Sequence, residues 1–70
     1  METKTGTIVT LKKENGYGFI QSDDVKEDNV FFHANHVLSP KFEELVINER
    51  VEYLEIESRK GKQAVDIAVM

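Results

Sequence analysis

The sequence predicts an all-β fold, a five-stranded antiparallel barrel in which no helix exceeds a turn or two. Three observations carry that expectation. Short runs of β-branched and aromatic residues recur along the 70 residues. An Asn-Gly pair separates the first two runs, and no stretch sustains the apolar period of a long helix. Five short strands in one chain of this length argue for a small closed or nearly closed barrel.

Taken in order, Thr7, Ile8, Val9, Thr10 and Leu11 place a first strand between Thr5 and Lys13. Glu14-Asn15-Gly16 then supplies a turn, and Asn-Gly tolerates positive φ at both central positions of a tight hairpin, so Tyr17 to Ser22 should pair antiparallel with the first strand. The polar run Ser22 to Asn29 is a loop, and Asn29 to His33 a third strand. Alternation sets Phe31 and His33 on one face and Val30 and Phe32 on the other. An imidazole is seldom fully buried without a partner, so the His face is placed outside. Val30 and Phe32 then join Ile8, Ile20, Val51 and Ile67 in the core. Ala34 to Leu38 reads as a helical turn ended by Ser39-Pro40. The connection to Asn48 reads as mostly loop, with Phe42 and Leu45 forming only an isolated apolar i, i+3 pair. Arg50 to Ser58 is the fourth strand, where the apolar phase shifts from Val51 and Tyr53 to Leu54 and Ile56, which predicts a β-bulge. Arg59-Lys60-Gly61 makes the last turn. Gln63 to Val69 is the fifth strand, with Ala64 and Asp66 facing opposite to Val65 and Ile67.

The chain is organised around Asn15-Gly16-Tyr17-Gly18-Phe19-Ile20. On a strand, Tyr17 and Phe19 share a face with only a glycine between them, while Ile20 takes the other face. Two flat rings side by side suit stacking of unpaired bases, worth roughly 1–3 kcal/mol per base. If Phe31 and His33 face the same way, a four-ring surface spans two neighbouring strands. The hexamer also follows an RNA-binding signature, Lys/Arg-Gly-Phe/Tyr-Gly/Ala-Phe-Val, with Asn15 in place of the basic residue and Ile20 in place of valine. A hydrophobic patch for a protein partner or a second copy of the chain is the competing use of such rings.

Composition narrows the function classes. The net charge of −4 argues against a purely electrostatic grip on phosphates. Its distribution is uneven: carboxylates gather at Asp23, Asp24, Glu27 and Asp28 and from Glu43 to Glu57, cations at Lys12-Lys13 and Arg59-Lys60-Gly61-Lys62. There is no cysteine for a disulfide or thiolate site. No run approaches the ~20 apolar residues of a membrane span, and Met1-Glu2-Thr3-Lys4 does not resemble a signal peptide, so the chain reads as soluble and cytoplasmic. His33 and His36 lack a third ligand for a metal. The paired carboxylates lie in charged loops without an apolar pocket, and Gly16-x-Gly18 lacks the third glycine of a dinucleotide site. No enzyme, cofactor or small-molecule substrate is expected.

RNA-recognition motif domains carry a similar hexamer, but on their third strand, after a helix and after its partner motif. Here Gly-Tyr-Gly-Phe-Ile comes first and Val-Phe-Phe-His follows, an order that resembles the bacterial cold-shock proteins and the eukaryotic cold-shock domains. The likeness runs from Gly6-Thr7-Ile8 to Gly61-Lys62-Gln63-Ala64 and makes residues 1–70 one cold-shock-like domain. It implies an OB-type barrel that binds single-stranded RNA or DNA on an aromatic face, the family being regarded as RNA chaperones. Tyr17, Phe19, Phe31 and His33 then stand as stacking residues, with Phe42 as a loop ring that joins them. Lys12, Lys13, Arg59, Lys60 and Lys62 are the implied phosphate contacts, and Gln63 resembles a residue that hydrogen-bonds a base.

Three of the family's usual rings are missing. Where the first strand typically carries Lys-Trp-Phe-Asn this chain has Val9-Thr10-Leu11-Lys12, and where Phe follows the motif histidine it has Ala34. Two functions from different classes therefore stand at this point. One is a sequence-tolerant binder of single-stranded RNA or DNA, an RNA chaperone, as a monomer or weak dimer. The other is a diverged cold-shock fold that serves as a protein-interaction or regulatory module with little nucleic-acid affinity.

Overall fold

A computed structural model of the chain describes residues 3–24, 29–39, 41–59 and 61–70. The β-branched runs form strands where the pattern predicts them: β1 (Thr3–Lys12), β2 (Tyr17–Ser22), β3 (Asn29–His33), β5 (Arg50–Ser58) and β6 (Gly61–Val69). A sixth short strand, β4 (Val37–Ser39), stands where a helical turn was expected. The helical part stops after the 3₁₀ turn Ala34–His36, because the β-branched Val37 is already extended at φ −88° and ψ 116°.

Hydrogen-bonded order around the sheet is β3-β2-β1-β5-β6-β4, and a further pairing of β3 with β6 closes it into a barrel. The expected antiparallel pattern holds for β1–β2, β1–β5, β2–β3 and β5–β6. The closing pair β3–β6 is parallel, as is β4–β6, so the barrel is mixed.

The first hairpin differs from the tight two-residue turn that Asn-Gly suggests. Lys12 pairs with Tyr17, and the Asn15 and Gly16 N–H groups both donate to the Lys12 carbonyl, at 3.0 and 2.9 Å. Gly16 takes the left-handed conformation, φ 75°, and Asn15 does not. A four-residue turn thus needs positive φ only where glycine supplies it.

Two irregularities set which side chains face out. Between Ile8 and Thr10 the register against β2 slips, so Val9 is an extra residue on β1. The slip turns Thr10 to the outer face opposite Phe19 and sets Leu11 in the inner row opposite Gly18. The second slip lies between Glu52 and Leu54 of β5, at the predicted place, but the extra residue belongs to β6. Asp66 adopts φ 54° there, and this is why Ile67, not Val65, points inward beside Ala64. Alternation in β5 therefore runs unbroken, and Leu54 and Ile56 stay on the outer face opposite Val65 and Gln63.

Inside, Ile8, Ile20, Val30, Phe32, Val51 and Ile67 are fully buried, joined by Leu45, Tyr53, Ala64 and Phe42. Gly18 makes room for this core: a Cβ there would stand 2.5 Å from the Thr10 carbonyl oxygen and 2.7 Å from the Phe32 ring. Burial pushes the Tyr53 phenol above its ordinary value, with Ser22 pulling it part of the way back. Among the described residues, that hydroxyl makes no well-formed hydrogen bond. On the outer wall Arg50 grips Asp23 with both guanidinium nitrogens and donates to Thr7 Oγ1 at 2.8 Å, while Thr5 Oγ1 donates to Asp23 at 2.6 Å. The hydrogen-bonded Asp23 raises Arg50 further above its already high ordinary value.

Candidate nucleic-acid interface

Strand register assembles the site. Across β1, β2, β3, β6 and β5 the partners Thr10, Phe19, Phe31, Gln63 and Ile56 form one outward row. Lys12, Tyr17 and His33 form the adjacent row. Directly opposite residues share a face, so the rings of Tyr17, Phe19, Phe31 and His33 stand together on the outside of β2 and β3. Val30 and Phe32 point inward between them.

The three carbocyclic rings are half-buried by one another. Tyr17 and Phe31 lie 5.6 Å apart and tilted by 31°, close to parallel. Phe19 meets Tyr17 at 6.1 Å and 90°, and Phe31 at 5.9 Å and 72°, both edge-on. These are favourable aromatic geometries, so each ring holds the others before any ligand arrives. Little side-chain entropy is left to lose on binding. His33 is exposed, and its Nδ1 accepts the Asn35 N–H at 3.1 Å. In the neutral ring the proton therefore sits on Nε2, which leaves that nitrogen a hydrogen-bond donor.

Gln63 and Lys62 join Phe19, Phe31 and Ser58 around a cleft of about 300 Å³ at the β3–β6 closure. Such a cleft offers two ring walls, an amide that can both donate and accept, and a cation. Among the described residues, none in these two rows or lining the cleft is acidic. Lys12 is exposed beside Tyr17. The Lys13 ammonium donates to the Glu43 carbonyl at 2.9 Å, fastening the β1–β2 turn to the 3₁₀ turn Phe42–Glu44. Arg59 is exposed in the turn between β5 and β6, and Lys60 lies outside the described residues.

Phe42, predicted with the rings, does not reach the platform. It is 6% exposed and packs against Phe32 in the core, ring centroids 6.1 Å apart. Leu45, one 3₁₀ turn later, is buried with it, so the isolated apolar pair in this connection marks an anchor to the barrel. Thr10 and Ile56 belong to the ring row without having been singled out as site residues. Their place depends on the Val9 bulge and on the β6 register, neither of which alternation reveals.

A barrel of five strands, β3-β2-β1-β5-β6, closed by the β3–β6 pairing and carrying β4 as one extra short strand on β6, belongs to the OB-type class. Comparison with known proteins agrees. Residues 4–70 match the family model of the 'cold-shock' DNA-binding domain. The major cold shock protein of Micrococcus luteus is 39% identical over 62 residues, covering 89% of this chain and 91% of the relative. Cold shock protein CspV of Vibrio cholerae is 32% identical over 71 residues that span the whole of both chains. Among solved structures, Drosophila Unr CSD456 superposes with a TM-score of 0.80 at 32% identity over 99% of this chain, which spans 27% of that longer chain. The chain belongs to the cold-shock domain family.

Proposed function

We propose that this protein binds single-stranded RNA or DNA without strong sequence preference, stacking bases on Tyr17, Phe19, Phe31 and His33, and acts as an RNA chaperone by holding strands unpaired. The observation that carries the reading is the ring cluster itself: three aromatic rings within 6.1 Å of one another, outside the core, on the outer face of a cold-shock barrel. Soluble proteins seldom leave such rings outside without a use for them. Stacking on them is tolerant of base identity, since every base has a π-face. In this reading Lys12, Lys62 and Arg59 carry the phosphates, and the Gln63 amide meets a base edge in the cleft beside Phe31.

Tyrosine fluorescence tests this directly, because Tyr53 is buried and contributes a constant background while Tyr17 lies on the platform. Adding oligothymidylate or oligouridylate should quench the emission. Phe19→Ala or Phe31→Ala should weaken binding by roughly 1–3 kcal/mol with the fold retained. No quenching at millimolar oligonucleotide and low salt sinks the proposal in favour of a protein-interaction module.

A further inference from the structure

β1 leaves one side bare at its end. Its pairing with β5 stops at Thr7, and the last backbone bonds on that side join Ile8 to Asn48 and Glu49, at 2.8 and 2.9 Å. Beyond them the strand and the segment 45–47 part, and a groove of about 550 Å³ opens between the two. Its apolar lining comes from Leu11 and Leu45 together with Val46 and Ile47, which are 54% and 46% exposed although neither is needed by the core. Lys12 and Lys13 stand on the opposite bank, with Glu14 as the one carboxylate among the described lining residues. Lys12 belongs to both places: it lines the groove and is the outward partner of Tyr17.

We infer that this groove is a further nucleotide subsite, which receives the base next to the one on Tyr17 while Lys12 holds the phosphate between them. This rests on the stacking function proposed above and extends it. A strand crossing from Tyr17 towards β1 meets Lys12 directly opposite and no ring beside it, since the neighbouring outward residue is Thr10, whose short side chain offers nothing to stack on. One step further it meets an apolar floor beside a cation, the pairing of surfaces that a base and its phosphate require. Exposed branched side chains at Val46 and Ile47 then take the part of a ring: they shield a base face from water without the geometry that would select one base over another.

The test follows the methyl signals of Val46 and Ile47 by NMR alongside the ring signals of Tyr17 and Phe19, in the full chain titrated with oligothymidylates of stepwise increasing length. The expected result is that short oligonucleotides shift the rings alone. Longer ones should also shift both methyl sets and gain affinity, and the double variant V46S/I47S should lose about five- to tenfold of that gain while binding the short ones unchanged. Both side chains are exposed, so the variant should keep the parent melting curve. Ring shifts without methyl shifts at any length overturn the groove and leave the platform standing. Shifts of neither overturn both. Methyl shifts that depend on protein concentration without oligonucleotide, or that appear only with an extended peptide, assign the groove to a protein contact and overturn the inference.

Discussion

At the scale of single residues, Thr10 and Tyr53 stand at opposite ends of the same question, whether a side chain fits the place its strand gives it. Thr10 is turned outward beside Phe19 by the Val9 bulge, in the slot where the family carries tryptophan. Thr10→Trp should add one ring to the row and tighten binding to oligothymidylate by about 1 kcal/mol, at the low end of a stacked base, measured by the same fluorescence titration. Tyr53 is fully buried, and keeping a hydroxyl there without a well-formed hydrogen bond costs on the order of 1 kcal/mol. Tyr53→Phe should therefore hold or raise stability at neutral pH, read from urea unfolding. The pH dependence follows from the same burial. With its folded value pushed above the ordinary one near 10, the phenol keeps its proton in the barrel while the unfolded chain has begun to release it. The unfolded state then binds fewer protons, so stability is intact below about pH 10 and declines as pH rises from there toward the folded value. In Tyr53→Phe that part of the alkaline loss should vanish, seen as a smaller difference between unfolding midpoints on either side of pH 10.

At the scale of elements, β2 serves two masters, since its outer face is the platform and its inner face is core. Gly18 is where the two meet, between Tyr17 and Phe19 and directly over the Phe32 ring. A methyl group there collides with the Thr10 backbone as well as with Phe32, and backbone of β1 cannot rotate aside as a flexible side chain would. Gly18→Ala should cost about 2–3 kcal/mol, a large share of the roughly 4–10 kcal/mol available to a chain of this size, and should lower the urea midpoint accordingly. This element was legible in the sequence because its two faces differ so sharply. The same holds for β3, where a single histidine was enough to assign the register, and for the six core residues named from alternation. β5 was harder to read. Leu54 and Ile56 look like inward residues, yet the inward position between them is Glu55, whose carboxylate meets Lys4 at 3.5 Å. An ion pair on the inner side inverts the hydrophobic pattern while alternation in β5 runs on unbroken, and the bulge that the apolar phase suggested lies across from it on β6, at Asp66. Phe42 was placed with the rings only by the family resemblance, and nothing in its own connection signals the packing against Phe32 that pins this segment to the barrel.

For the whole molecule the governing fact is a net charge of −4 on a chain proposed to bind a polyanion. The fold eases this by separation. The two outward rows that carry the rings contain no carboxylate. On the outer wall Asp23 is held by Arg50, and Glu52 lies in the same part of that wall, opposite Thr5. Affinity should then come from stacking more than from released counterions. Among the described residues Lys12 is exposed beside Tyr17, Lys62 lines the cleft with Phe31, Arg59 is exposed in the turn between β5 and β6, and the Lys13 ammonium donates to the Glu43 carbonyl. At about 0.7 per phosphate contact for a single strand, the log affinity for oligothymidylate should fall against log salt with a slope of magnitude about 1–3. Lys12→Ala should lower that slope by about 0.7, because it removes one contact. Phe19→Ala should shift the whole line to weaker binding and leave the slope alone, because a ring releases no ion. Titrations across a series of sodium chloride concentrations separate the two effects. A slope steeper than about 5 in the parent protein would mean that cations dominate the interface after all, and a ring variant that flattened it would mean that stacking and phosphate binding cannot be assigned to separate residues here.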